Sequence, residues 1–132
     1  MATRPAMFRP RAQLAAAEID RNRGNSAERG YDAAWRAARD AHLAEHPFCV
    51  YCLAGAWGDP PRHTSATLVD HFHPHRGNRA IFWLTALWVA SCAPCHSGPK
   101  QSLERQGRPA LERLGRRLGL PTLAHALRSS QG

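Results

Sequence analysis

The sequence predicts a small α+β domain stapled by a four-cysteine zinc site and flanked by helices. Three observations carry that expectation: two CxxC pairs, two short apolar runs of strand character between them, and helical periodicity on either side. At 132 residues the chain suffices for one compact domain with tails. Its core is modest, so a bound metal would add materially to folding.

Taken in order, residues 1–28 read as a basic N-terminal arm. Pro5 and Pro10 interrupt a stretch without apolar periodicity, which reads as disordered, and a short Ala-rich helix is expected from Gln13 to Arg21. From Tyr31 to Glu45, Ala34, Trp35, Ala38, Ala41 and His42 recur at helical spacing, and Pro47 stops the run. Phe48 to Leu53 is expected as a tight turn holding the first cysteine pair, and Gly55 to Arg62 as a loop. Ala66 to His71 reads as a strand through Thr67, Leu68 and Val69, broken by His75-Arg76-Gly77-Asn78. Ile81 to Ala90 is the most apolar run, and Trp88-Val89-Ala90 within it fits a second strand. A helix is expected from Ala93 or Cys95 through Gln101 to Arg105. In the basic, helical C-terminal extension 108–132, Leu111, Leu114 and Leu118 mark another, ended by Gly119 and Pro121.

The charge narrows the function classes. Lys plus Arg is 18 against 10 acids, a net +8, and Lys100 is the only lysine. Arginine presents a planar fork of donors suited to phosphate. The excess sits in the flanks: +3 over residues 1–29, +1 over 30–102 and +4 over 103–132. A small acidic substrate needs no such spread, whereas a polyanion such as nucleic acid does; a merely soluble basic surface is the plainer alternative. No run approaches the roughly 18 apolar residues needed to cross a bilayer, and Met1 to Arg11 lacks the apolar core of a secretory signal. No membrane role and a cytoplasmic location, with reduced thiols, are therefore expected.

Cys49-Val50-Tyr51-Cys52 and Cys92-Ala93-Pro94-Cys95 are separated by 39 residues. Two facing CxxC turns supply the four soft ligands of a tetrahedral zinc. Two disulfides are disfavoured by a reducing compartment, and a redox pair by the second matched pair. A closed four-thiolate site leaves no coordination position for chemistry, so this zinc is structural.

Between the pairs lies Val69-Asp70-His71-Phe72-His73-Pro74-His75-Arg76-Gly77, and His96 follows the last cysteine. A hairpin from Ala66 to Ser91 would set Asp70 and His71 beside His96. A carboxylate and an imidazole can hold a divalent ion with open positions, while a neutral imidazole accepts a proton from water. Surface imidazoles on a His-rich loop, or extra zinc ligands, are the plainer reading.

The ordered set of motifs resembles the small phage- and prophage-associated HNH endonucleases of the ββα-metal nuclease group. It comprises Arg29-Gly30-Tyr31 with Trp35, Pro47-Phe48-Cys49-Val50-Tyr51-Cys52, Val69-Asp70-His71 with Pro74-His75-Arg76-Gly77, Phe82-Trp83, and Cys92-Ala93-Pro94-Cys95-His96 with Lys100-Gln101. The likeness runs over residues 29–107, the expected nuclease domain. It implies a β-hairpin followed by a helix with a metal between them. It implies hydrolysis of DNA phosphodiester bonds with Mg2+, Mn2+ or Ni2+, His71 acting as general base and Asp70 and His96 as ligands of the catalytic cation.

One position departs: the motif's central Asn, which keeps the first His aimed, falls at Leu87, whose side chain cannot hydrogen-bond. Asn78 and His75 are candidates to substitute. His75, Arg76, Arg79 and Lys100 are candidate DNA contacts, with Arg105 and Arg108 further along the backbone. His73 is expected at a phosphate or in the turn. Trp35, Trp83 and Trp88 read as core, and Trp57 as the freer stacking candidate. Two rival expectations stand: a non-catalytic, zinc-stabilised DNA-binding accessory module, partnered with phage packaging (terminase) proteins, and a protein adaptor using the Leu111/Leu114/Leu118 stripe.

Overall fold

A computed structural model describes residues 30–131; the expected N-terminal arm and its short helix lie outside them. Helix α1 (Ala33–Glu45) starts where the Asp32 carboxylate accepts the Trp35 amide at 3.0 Å. The one-turn helix α2 (Val50–Ala54), capped by Cys49 and containing Cys52, replaces the expected bare turn. It ends at Gly55, in the left-handed conformation with φ +59°, where a Cβ would sit 2.6 Å from the Asp59 carbonyl oxygen.

Strands β1 (Leu68–His71) and β2 (Trp88–Ser91) form an antiparallel pair, with Asp70 opposite Val89 and His71 opposite Trp88. Both strands are shorter or shifted by a residue or two from the expected ends. The apolar run before β2 is not extended: Asn78 caps α3 (Arg79–Phe82), and Thr85–Leu87 forms a 3-10 turn. After β2 the chain turns into α4 (Ala93–Cys95), a π-helical turn (His96–Lys100) and α5 (Gln101–Arg105), which follow one another without a break. The wider turn contains Pro99, which has no N–H to donate to a regular ladder. Helix α6 (Arg108–Leu118) ends at Gly119, and α7 (Leu123–Gln131), a second helix within the C-terminal extension, completes the described chain.

The sheet separates two apolar clusters. On one face Val69 and Trp88 pack with Trp35 of α1 and Phe82 of α3. The larger cluster holds the four cysteines, Tyr51, Phe72 and Val89, together with Leu111, Leu114, Leu123 and Ala126 of α6 and α7. Leu111 and Leu114 thus face their own domain, which removes the exposed partner stripe expected there. Gly115 lets α6 approach the Phe72 ring, which a Cβ would meet at 3.2 Å. Among the described residues no helix is long and apolar enough to cross a membrane.

Cys49, Cys52, Cys92 and Cys95 are all buried free thiols whose sulfurs lie within 4.8 Å of one another. Metal–sulfur bonds of about 2.3 Å in a tetrahedron put neighbouring sulfurs about 3.8 Å apart. Cys52 Sγ lies 3.9 Å from Cys92 Sγ and 3.7 Å from Cys95 Sγ, close to that spacing, and the four sulfurs together could hold a metal ion. Trp57, expected to be free, instead donates its indole N–H to Cys95 Sγ at 3.3 Å and packs on Tyr51.

Losing one thiolate removes metal-binding energy that is also folding energy. Cys92→Ser should cost at least about 4 kcal/mol, lowering the thermal midpoint by about 10 °C or more. Circular dichroism melts of zinc-supplied parent and variant check this; midpoints within a few degrees would contradict it.

Candidate metal and active site

A cleft of about 400 Å³ opens where β1 ends, lined among others by Tyr31, Trp35, Arg39, Asp70, His71, His75, Arg76, His96 and Glu104. The hairpin therefore gathers Asp70, His71 and His96 as expected. They enter from opposite sides. Successive strand residues point to opposite faces, so His71 leans on α1 and Asp70 faces α2 and the π-helical turn.

Asp70 is buried, and its two oxygens have different partners. Oδ2 accepts the Tyr51 hydroxyl at 2.6 Å and the Lys100 ammonium at 3.0 Å. Oδ1 lies 3.6 Å from His96 Nε2, whose ring is partly exposed to the cleft. Burial raises the Asp70 carboxyl above its ordinary range, against the opposing pull of Lys100, Tyr51 and His96. A cation bridging one carboxylate oxygen and one imidazole nitrogen at ordinary bond lengths of about 2.1 Å needs donors about 3.0–3.4 Å apart. A shift of a few tenths of an ångström by the His96 ring meets that requirement.

His71 stacks on Trp35 with ring centroids 4.9 Å apart and packs against Phe82 and His75. Its Nε2 is screened from solvent and has no hydrogen-bond partner. Burial, then the neighbouring His75, pushes its pKa down to about 4, while a backbone hydrogen bond with Phe82 opposes the shift. The Phe82 carbonyl also accepts the Trp88 indole N–H at 2.9 Å, which anchors it. His75 is held at both ring nitrogens, Nε2 by the Tyr31 hydroxyl at 3.0 Å and Nδ1 by the Gly77 amide at 3.1 Å.

Leu87 is buried in the larger cluster, and its carbonyl accepts the Phe72 amide at 3.0 Å. The backbone at this position thus bonds across the hairpin loop immediately after His71. Asn78, a candidate for that role, is occupied in capping α3.

The remaining candidates divide. Arg76 lines the cleft at φ +49°, a left-handed conformation that costs a non-glycine residue about 1 kcal/mol or more. Arg79 is exposed on α3 with its guanidinium over Phe82, 5.9 Å from the ring centroid, and is not among the cleft residues. His73 is buried and pairs with Glu112 of α6 at 3.2 Å, which excludes it from contact with phosphate. Lys100, expected along the DNA backbone, is fully buried and held by Asp70 and Glu104. An ammonium enclosed by two carboxylates cannot reach a polyanion on the surface.

Several site residues escaped the sequence reading. Tyr51 sits inside the first CxxC, where only the metal-binding spacing of the cysteines carries a sequence signal. Glu104 and Lys100 form an i,i+4 pair that was legible as such. Nothing in the sequence marks the burial of Lys100 or of Tyr51.

At pH 5.5 an unperturbed imidazole is about 90% protonated, whereas His71 should remain neutral. Ring 13C and 15N shifts of the zinc-loaded protein measure this, and a protonated His71 at that pH would contradict the burial account. Because the unfolded chain takes up this proton first, His71 subtracts stability as pH falls from about 6.5 towards about 4.

No family model, no curated protein and no solved structure matches the chain.

Proposed function

We propose that the chain is a metal-dependent endonuclease of the HNH, ββα-metal type that hydrolyses DNA phosphodiester bonds in a cytoplasmic setting. The observation that carries this reading is the convergence of Asp70, His96 and a neutral His71 on one cleft. In this reading the four cysteines hold a structural zinc, and Asp70 Oδ1 and His96 Nε2 are the protein ligands of a catalytic divalent cation. When bound, that cation would polarise the scissile phosphate and stabilise the leaving oxygen.

His71 takes the proton of the attacking water at its unpartnered Nε2, for which a neutral ring is required. The Trp35 stack and the Phe82 backbone hold that ring in place, supplying the orientation that Leu87 cannot supply through its side chain. Arg76 and Arg39 at the cleft meet backbone phosphates, drawn in by the wider arginine excess. Affinity for DNA accordingly falls steeply with salt.

Two observations favour a second reading, a non-catalytic zinc-stabilised module that binds DNA as an accessory to phage packaging proteins. His71 Nε2 is screened from solvent, and half of the Asp70 carboxylate is already engaged by Lys100 and Tyr51. Plasmid nicking with and without Mn2+ separates the two. The first reading expects cation-dependent nicking that His71→Ala and His96→Ala each reduce at least about 100-fold, with salt-sensitive DNA retention unchanged. DNA retention without nicking under any divalent ion would leave the accessory reading.

A further inference from the structure

We propose that His42 and His46, at the C-terminal end of α1, form a further metal site that takes a borderline divalent ion such as Ni2+ or Cu2+. The site is separate from the cysteine cluster and from the cleft, and the inference does not rest on the nuclease reading.

The two histidines stand four residues apart, the spacing that sets side chains one above the other on a helix face. His42 lies in the last turn of α1, and His46 is its C-cap, whose amide donates to the His42 carbonyl at 2.9 Å. The helical hydrogen bonding thus runs on to the second histidine and keeps both rings together. Their centres are 4.5 Å apart, with 34° between the ring planes. His46 is exposed and His42 is half-buried, with Trp88 as its other ring neighbour at 5.9 Å.

That separation is what a shared ion requires. A metal–nitrogen bond of about 2.1 Å puts an imidazole centre about 3.2 Å from the ion, so two imidazoles at a right angle have centres about 4.6 Å apart. Adjacent positions on an octahedral or square-planar ion present that angle, and imidazole nitrogen suits Ni2+ and Cu2+. Two features of the surroundings favour the ion. The unsatisfied carbonyls of the helix C-terminus give this end a negative partial charge that attracts a cation. Burial, then His46, holds the His42 ring below its ordinary pKa against the opposing pull of Glu45, so near neutral pH the ring is free to ligate. A bound ion would clamp the last turn of the helix whose Trp35 backs His71.

Ni2+ titrated into the zinc-loaded protein, followed through 1H–15N spectra of the histidine and tryptophan rings, tests this. At one equivalent the ring signals of His42, His46 and Trp88 should broaden together. Those of His63 and His125, exposed and without a histidine four residues away, should stay sharp. His46→Gln, at an exposed side chain, should weaken Ni2+ binding at least about tenfold, since the second contact of a chelate is intramolecular. Amide exchange in the last turn of α1 should slow with Ni2+ in the parent and not in the variant. Equal broadening of His42, His46, His63 and His125 would mean adventitious single-ring binding only and would overturn the proposal, as would unchanged Ni2+ affinity in His46→Gln. Broadening confined to His96 would put the ion in the cleft and leave His42 and His46 a ring stack.

Discussion

The geometry of the cleft depends on the four buried sulfurs. They join α2 to the start of α4 across 39 intervening residues, with the hairpin between. Cys92 follows the last residue of β2 directly, and His96 follows Cys95. A metal on these sulfurs therefore fixes the strand end and the first helical turn in one rigid unit. Tyr51, between the sulfurs of the first pair, is carried to Asp70 by the same constraint. The apolar cluster around the cysteines includes residues of α6 and α7, so a metal held there and the C-terminal helices would stabilise one core.

From that frame the two faces of β1 take on separate tasks. The Asp70 side is polar and tightly paired, with a hydroxyl and an ammonium on one oxygen and an imidazole facing the other. The His71 side is aromatic, with Trp35, Phe82 and His75 packed against the half-buried ring. A low-dielectric wall keeps an imidazole neutral, while paired charges keep a carboxylate in place. One strand residue of separation thus produces two environments that open on the same cleft.

Much of this was legible in the sequence, and what was not had physical reasons. The CxxC pairs prescribed the sulfur cluster because ligand spacing is local chemistry. The hairpin followed from short apolar runs bounded by turn residues, and it set Asp70 beside His96. Helix α7 lies in the extension expected to be helical, but Leu123, Ala126 and Leu127 make too short a pattern after Pro121 to mark it as a separate element. The sequence reads as an apolar run from Ile81; the Asn78 cap and the demands of packing Phe82 and Leu87 on opposite sides make helical turns over Arg79–Phe82 and Thr85–Leu87 instead. Lys100 departs from its expected surface position for a different reason. Its charge suggested solvent and phosphate, and only tertiary contact with Asp70 could show it buried.

The most direct test of the convergence on the cleft is anomalous diffraction from crystals grown with zinc and soaked in Mn2+. Scattering by manganese between Asp70 Oδ1 and His96 Nε2, together with zinc among the four sulfurs, is the expected result. Zinc among the sulfurs with no manganese at the Asp70–His96 pair at saturating concentration would contradict the account.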